Sequence, residues 1–136
     1  MSEQNPALTV ARSSWRCVQA HDKQGWLELM ADDVCIEDPI GVGPTNPTGK
    51  GIRGKAAVEE FYDKNIGPNS LHIETHESHV AAANESAHVL SLTTTFPNGA
   101  KAIVRGIFTY RVNDEGKLAG MRGYWNMDAM RFEQPS

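Results

Sequence analysis

Asp38 is the residue whose type and placement most directly imply chemistry. Val34, Ile36 and Asp38 alternate with Cys35 and Glu37, a twofold pattern that makes a strand and stops at Pro39. The alternation puts the Asp38 carboxyl on the face shared by Val34 and Ile36, the face that turns to the core. A carboxylate there is costly unless it is paired or neutral, and no cationic partner lies on the inward faces. Such a group is a candidate for moving protons. The structural alternative is that Asp38 caps the turn made by Pro39 and Gly41.

Histidines are the next candidates. His72, His76 and His79 fall on one strand with Glu74 and Glu77 between them. His72, Glu74 and His76 share a face, but Leu71, Ile73 and Thr75 occupy the opposite one, so the histidine face is the solvated one and no metal site is expected. His21 falls at the end of the first helix, where the dipole favours a cation. No Ser-His-Asp arrangement, phosphate-binding loop or dinucleotide fingerprint is present, and Gly49-Lys50-Gly51 reads as a loop.

The elements that must position these groups follow from periodicity. Leu8, Ala11, Trp15 and Val18 predict a helix from Ala7 to about Gln19. A second helix is expected over Lys23 to Met30, with Asp22 as N-cap and Trp26, Leu29 and Met30 inward. After the Asp38 strand, residues 39–53 hold three prolines and four glycines and must be irregular. A third helix is expected over Ala56 to Ile66, with Val58, Phe61, Tyr62 and Ile66 on one side. Twofold patterning then predicts strands at about 71–82, 86–96, 100–112 and 117–130, separated by Asn84-Glu85, Pro97-Asn98-Gly99 and Asn113-Asp114-Glu115-Gly116. Their inward residues are Leu90, Leu92 and Phe96; Ala102, Val104, Gly106, Phe108, Tyr110 and Val112; and Met121, Gly123, Trp125 and Met127. Helices first and consecutive strands afterwards is the order of an α+β domain.

With 136 residues, one domain spanning 1–136 is expected. Thirteen Lys+Arg against 17 Asp+Glu leave a net charge of −4, which offers no footprint for nucleic acid or an anionic membrane. No apolar run suits a bilayer span, and MSEQNPALTV does not read as a signal peptide. Cys17 and Cys35 have no disulfide or zinc spacing. A cytoplasmic location is expected.

The block Ala31-Asp32-Asp33-Val34-Cys35-Ile36-Glu37-Asp38-Pro39-Ile40-Gly41 resembles the signature region of the ketosteroid isomerases, members of the SnoaL-like, NTF2-like superfamily. His21-Asp22 precedes it, Gly54-Lys55-Ala56-Ala57-Val58-Glu59-Glu60-Phe61-Tyr62 follows, and Asn113-Asp114-Glu115-Gly116-Lys117-Leu118 leads into Met121-Arg122-Gly123-Tyr124-Trp125. The resemblance covers nearly the whole chain and is strongest to actinobacterial steroid Δ-isomerases. It implies an α+β cone: three N-terminal helices packed on a curved, mostly antiparallel sheet around an apolar pocket, usually as a homodimer. It also implies a C=C-transposing intramolecular isomerase without cofactor or metal, acting on a small, steroid-like hydrophobic ligand. That family uses an aspartate base, with a tyrosine and a protonated aspartate holding the substrate oxygen.

Residue by residue, the base falls on Asp38. Tyr62 matches a tyrosine that supports the oxygen-binding network, and Trp125 an aromatic wall; Met30, Phe108 and Met121 are expected beside it as ligand-binding residues. The tyrosine donor's position falls on Ser14, with Trp15 one residue away, and the protonated aspartate's on Phe108. Phe108 cannot donate, and each lost donor costs about 2.7–4 kcal/mol of transition-state stabilisation. A slow isomerase is therefore expected, with Tyr62, the Trp125 indole N–H or a water on Ser14 as substitute donors. The alternative is a non-catalytic carrier of steroid-like ligands. Epoxide hydrolysis would need an inward Arg and a second inward Asp, and Arg122 faces away from Trp125.

Overall fold

The computed structural model describes residues 5–81 and 83–135. Residues 1–4, 82 and 136 lie outside it, including the first positions of the MSEQNPALTV segment and the last of the strand expected over 71–82.

Helix α1 spans Pro6–Ala20. The Asn5 side chain accepts from the Ala7 and Leu8 amides, Pro6 occupies the first turn where no N–H is needed, and His21 ends the helix in the left-handed region. Its buried face is Ala7, Val10, Ala11, Ser14, Trp15 and Val18. Helix α2 is Lys23–Glu28, capped by Asp22, whose Oδ1 accepts from the Gly25 amide at 2.9 Å. It stops short of the expected end at Met30. Met30 instead begins strand β1, Met30–Glu37, because the chain there joins a ladder with Leu118 and the Leu118 amide donates to the Leu29 carbonyl at 2.8 Å.

Strand β2 is only Ile52–Arg53, paired with Ile36 and Cys35 across the intervening loop. Helix α3, Lys55–Phe61, continues as a π-helical turn, Tyr62–Ile66. Strands β3 (Ser70–Val80), β4 (Glu85–Thr95), β5 (Lys101–Val112) and β6 (Leu118–Tyr124) follow. The strand expected over 117–130 proves to be two. After β6, Asn126 accepts from the Asp128 amide and starts a 3-10 turn, Met127–Ala129, which sends strand β7 (Met130–Glu133) back onto β5.

The sheet order is β2-β1-β6-β5-β4-β3, with β7 on β5. Among the described residues only β1·β6 is parallel. Breaks in register between Met30 and Cys35, Thr75 and Glu77, and Arg111 and Val112 interrupt the ladders, and such irregularities bend a sheet. The result is an NTF2-like α+β fold with a curved open sheet. The helices do not form a block of three N-terminal elements: α1 and α2 precede the sheet, while α3 is inserted after β1 and β2, the pair that encloses the loop carrying the site.

The inner face follows the alternation along β1 and β5 and at Leu90 of β4, but Phe96, just past the end of β4, and Met127, in the 3-10 turn instead of a strand, are exposed. Ala102, Val104, Phe108, Tyr110 and Val112 of β5 are buried, as are Leu90 of β4 and Val34 and Ile36 of β1. His72, Glu74 and His76 are exposed, and among the described residues no cluster of His, Cys, Asp and Glu could hold a metal ion. Also among them, no helix is long and apolar enough to cross a membrane.

Candidate functional site

Between the helices and the concave face of the sheet lies a cavity of about 320 Å³. Leu90, Leu92, Val104 and Phe108 form its floor, α1 supplies Ser14, Trp15 and Val18, the end of α3 supplies Phe61, and the turn after it supplies Asn65 and Ile66. Phe96, Met127 and Phe132 stand at the rim, each at least partly in solvent. That size suits a small organic ligand, and its lining is mostly apolar.

Asp38 projects into this wall just beyond the end of β1. Its Oδ1 accepts from the Trp125 indole Nε1 at 2.6 Å. Gly123 on β6 makes the approach possible: a Cβ there would lie 2.7 Å from Asp38 Oδ1 and 3.0 Å from both Phe108 and the Trp125 nitrogen. Among the described residues no Lys, Arg or His forms an ion pair with Asp38. Asp38 as a residue is half-buried, and it lines the mostly apolar cavity. Burial raises its pKa to about 6, against a smaller lowering by the Trp125 hydrogen bond. An acid in this range can give and take a proton near neutral pH.

The loop at 39–53 is folded back and tied. Asn46 is fully buried; its Nδ2 donates to the Pro39 carbonyl at 2.9 Å and its Oδ1 accepts from the Gly51 amide at 3.0 Å. Thr45 donates to the backbone carbonyl of Asp38, and the Ile40 amide donates to the Gly123 carbonyl. Pro44 and Thr45 thereby become part of the cavity wall.

Of the residues singled out from sequence, Asp38, Ser14, Phe108, Met121 and Trp125 meet around the cavity. Met30 and Tyr62 do not line it. Met30 is drawn into β1 and is 2% exposed in the core. Tyr62 begins the π-helical turn that brings Asn65 and Ile66 to the wall, and its own ring packs on Trp26 at 5.5 Å between centroids. Its connection to the site runs through Trp26, whose Nε1 donates to Ser14 Oγ at 3.0 Å. The Trp125 N–H, expected as a substitute donor, is already given to Asp38. Arg122 lies on the outer face, paired with Glu37 at 3.0 Å.

Sequence reasoning placed Tyr110 inward without assigning it work and passed over His88. Tyr110 lines the cavity, and its Oη accepts from the Trp15 Nε1 at 2.8 Å. Burial pushes its phenol up strongly, with the nearby Asp38 charge acting in the same direction. His88 lies behind them, hydrogen-bonded to Ser86 and Ser78 at 2.8 Å each and edge-on to Trp15. Desolvation pushes its pKa down to about 4, so it is neutral at pH 7. The signal that flags Asp38, a polar group on an apolar face, is present at both positions.

A curved sheet, an apolar cavity and a carboxyl without a cation define an NTF2-like small-molecule pocket. The chain matches the SnoaL-like domain over residues 11–121. It is 54% identical to the Δ5-3-ketosteroid isomerase from Mycobacterium sp., with a TM-score of 0.94, covering 96% of this chain and 100% of that one. A Mycobacterium tuberculosis protein crystallised with estradiol-17β-hemisuccinate is 55% identical, with a TM-score of 0.93 over 95% of this chain and 100% of that one. The steroid Delta-isomerase of Nocardioides simplex is 29% identical over 97 residues, 71% of each chain. The chain belongs to the SnoaL-like, NTF2-like ketosteroid isomerase family.

Proposed function

We propose that the protein is a Δ5-3-ketosteroid isomerase-like enzyme that works without a cofactor. Asp38, ionised, breaks the C–H bond between the carbonyl and the β,γ double bond of a steroid-like ketone. The carbon's electron pair enters a dienolate and the proton rides on the carboxyl. Returning that proton to the γ-carbon forms the new C–H bond, leaves the double bond conjugated and regenerates the carboxylate. The observation that carries this reading is a cation-free carboxyl, its pKa raised to about 6, at the wall of an apolar cavity. Slow turnover is part of it, because Phe108 stands where a donor would. Growth of conjugated-enone absorbance from a β,γ-unsaturated 3-ketosteroid tests it. Asp38→Asn is expected to lower the rate by about 10²–10⁴-fold, the usual contribution of a positioned base. Equal rates for the two proteins would remove Asp38 from the mechanism.

Phe108 also favours a second reading, a carrier of steroid-like ligands without turnover. Trp15, Trp26 and Trp125 line the cavity, so a phenolic steroid should quench tryptophan fluorescence saturably. Quenching with no turnover would select the carrier, and no binding of any polycyclic ligand would eliminate both readings. The proposal further includes one domain over residues 1–136, action in the cytoplasm, and a homodimer. The exposed Ile107 and Tyr124 on the outer face of β5 and β6 support pairing, which sedimentation velocity reads directly.

A further inference from the structure

We infer that Tyr110 holds the carbonyl oxygen of the ligand, by an O–H bond that Trp15 prepares. The inference rests on the proposed ketone-bearing ligand but not on turnover. The sequence leaves the oxygen without its expected donors, Ser14 being short and Phe108 apolar. The structure supplies another on the same wall. An indole N–H can only donate, so in the 2.8 Å contact with Trp15 the Tyr110 oxygen is the acceptor. The phenol proton is not used by that bond, and no described residue accepts it. The side chain lines the cavity and is 4% exposed.

Position along the strand agrees. Phe108 pairs with Gly123, against which Asp38 rests, whereas Tyr110 pairs with Met121, two residues farther along β5. Two strand residues advance roughly 7 Å. The rim residue Phe132 pairs with Ala102 at the other end of β5, so Tyr110 lies inward of Asp38 as seen from the opening. A ketone that moves its double bond exchanges its proton between carbons two and four bonds from the oxygen. Its oxygen must therefore sit a few ångströms from the base, and a ring skeleton extending toward the apolar rim puts it on the inner side. Tyr110 occupies that place.

The electrostatics suit a donor. Burial and the Asp38 carboxylate keep Tyr110 a neutral phenol, while the Trp15 N–H on its oxygen makes the remaining proton a better one to share. Ser14 repeats the arrangement, its hydroxyl receiving the Trp26 N–H, but a serine hydroxyl is a weaker acid and reaches less far.

The test compares androst-4-en-3-one with the same skeleton lacking the 3-oxygen. The native protein should prefer the ketone and shift its infrared carbonyl band to lower frequency. In Tyr110→Phe the ketone preference should fall about tenfold, the size of one buried hydrogen bond, with the deoxy steroid binding within twofold of native. The band should move back toward its position in apolar solvent. Replacing Tyr110 by 3-fluorotyrosine keeps the shape and acidifies the phenol, so the band should shift further. It decides the matter if the Phe variant does not fold. An unchanged ketone preference and band in Tyr110→Phe, or no response to fluorination, would overturn the assignment. A native protein that binds androst-4-en-3-one with the shifted band but never converts the β,γ-unsaturated androst-5-en-3-one into it would defeat the proposed reaction and leave this inference standing.

Discussion

Asp38 combines two requirements that conflict. Burial makes its carboxyl basic enough to take a proton, and the same burial disfavours the ionised form in which it must act. The indole of Trp125 moderates the conflict by donating to Oδ1. The rate should therefore rise through a pKa of about 6 as pH increases and level off above it. Trp125→Phe removes the lowering contribution, so its acid limb should move to higher pH; an unmoved limb in a pH–kcat/KM profile would contradict the assignment. Gly123→Ala is expected to abolish turnover, since the added methyl occupies space within 3.0 Å of the carboxyl and of Trp125. Circular dichroism should show the fold retained. Asp38 was legible from alternation alone because its own strand reports its face. The work available to Tyr110 was not, because its indole partner is 95 positions away in the chain.

At the scale of elements, the loop at 39–53 has the composition of a flexible connector and the hydrogen bonding of a fixed wall. Asn46 makes the difference. Asn46→Ala leaves the Pro39 carbonyl and the Gly51 amide without partners inside the protein, and each such loss costs about 1–3 kcal/mol. Thermal melts should show the destabilisation, with a raised KM as Pro44 and Thr45 loosen. The rim is built differently. Met130 and Phe132 on β7, joined to β5, cover the opening, so alanine at both should weaken binding of a four-ring ligand while leaving kcat nearly unchanged. A single strand over 117–130 was the natural reading of the sequence, because both halves have strand periodicity. The turn between them is set by Asn126 and by the free edge of β5, and pairing at a distant edge leaves no local signature.

For the whole molecule, a cavity and buried ionisable groups reduce stability where packing would add to it. Asp38 has its pKa raised in the folded state from 3.8 to about 6, so a penalty on folding grows as pH rises through that window and is complete above it. Roughly two pKa units correspond to about 3 kcal/mol. Asp38→Asn should therefore raise the midpoint of thermal unfolding at pH 7.5, and the gain should fade to nothing below pH 4. His88 acts oppositely. Its folded pKa is lowered from 6.5 to about 4, so its neutral burial costs nothing above the unfolded pKa and stability is lost as pH falls from 6.5 towards 4. Denaturation monitored across that interval should be less acid-sensitive in His88→Asn.

What the sequence determined by itself is whatever depends on neighbours along the chain: the α1 stripe, the Asp22 cap of α2, the inward faces of β1, β4 and β5, and Asp38 on one of them. Side-chain direction in a helix or strand follows from spacing of a few residues, so those features needed no fold. Which inward residues bound space and which merely fill it was decided by tertiary structure. Met30 and Tyr62 face inward yet stay behind the wall, whereas Ser14 and Tyr110 reach the cavity with hydroxyls already fixed by tryptophans. That division depends on how helices and sheet approach one another, and on hydrogen bonds between groups the chain brings together only when it folds.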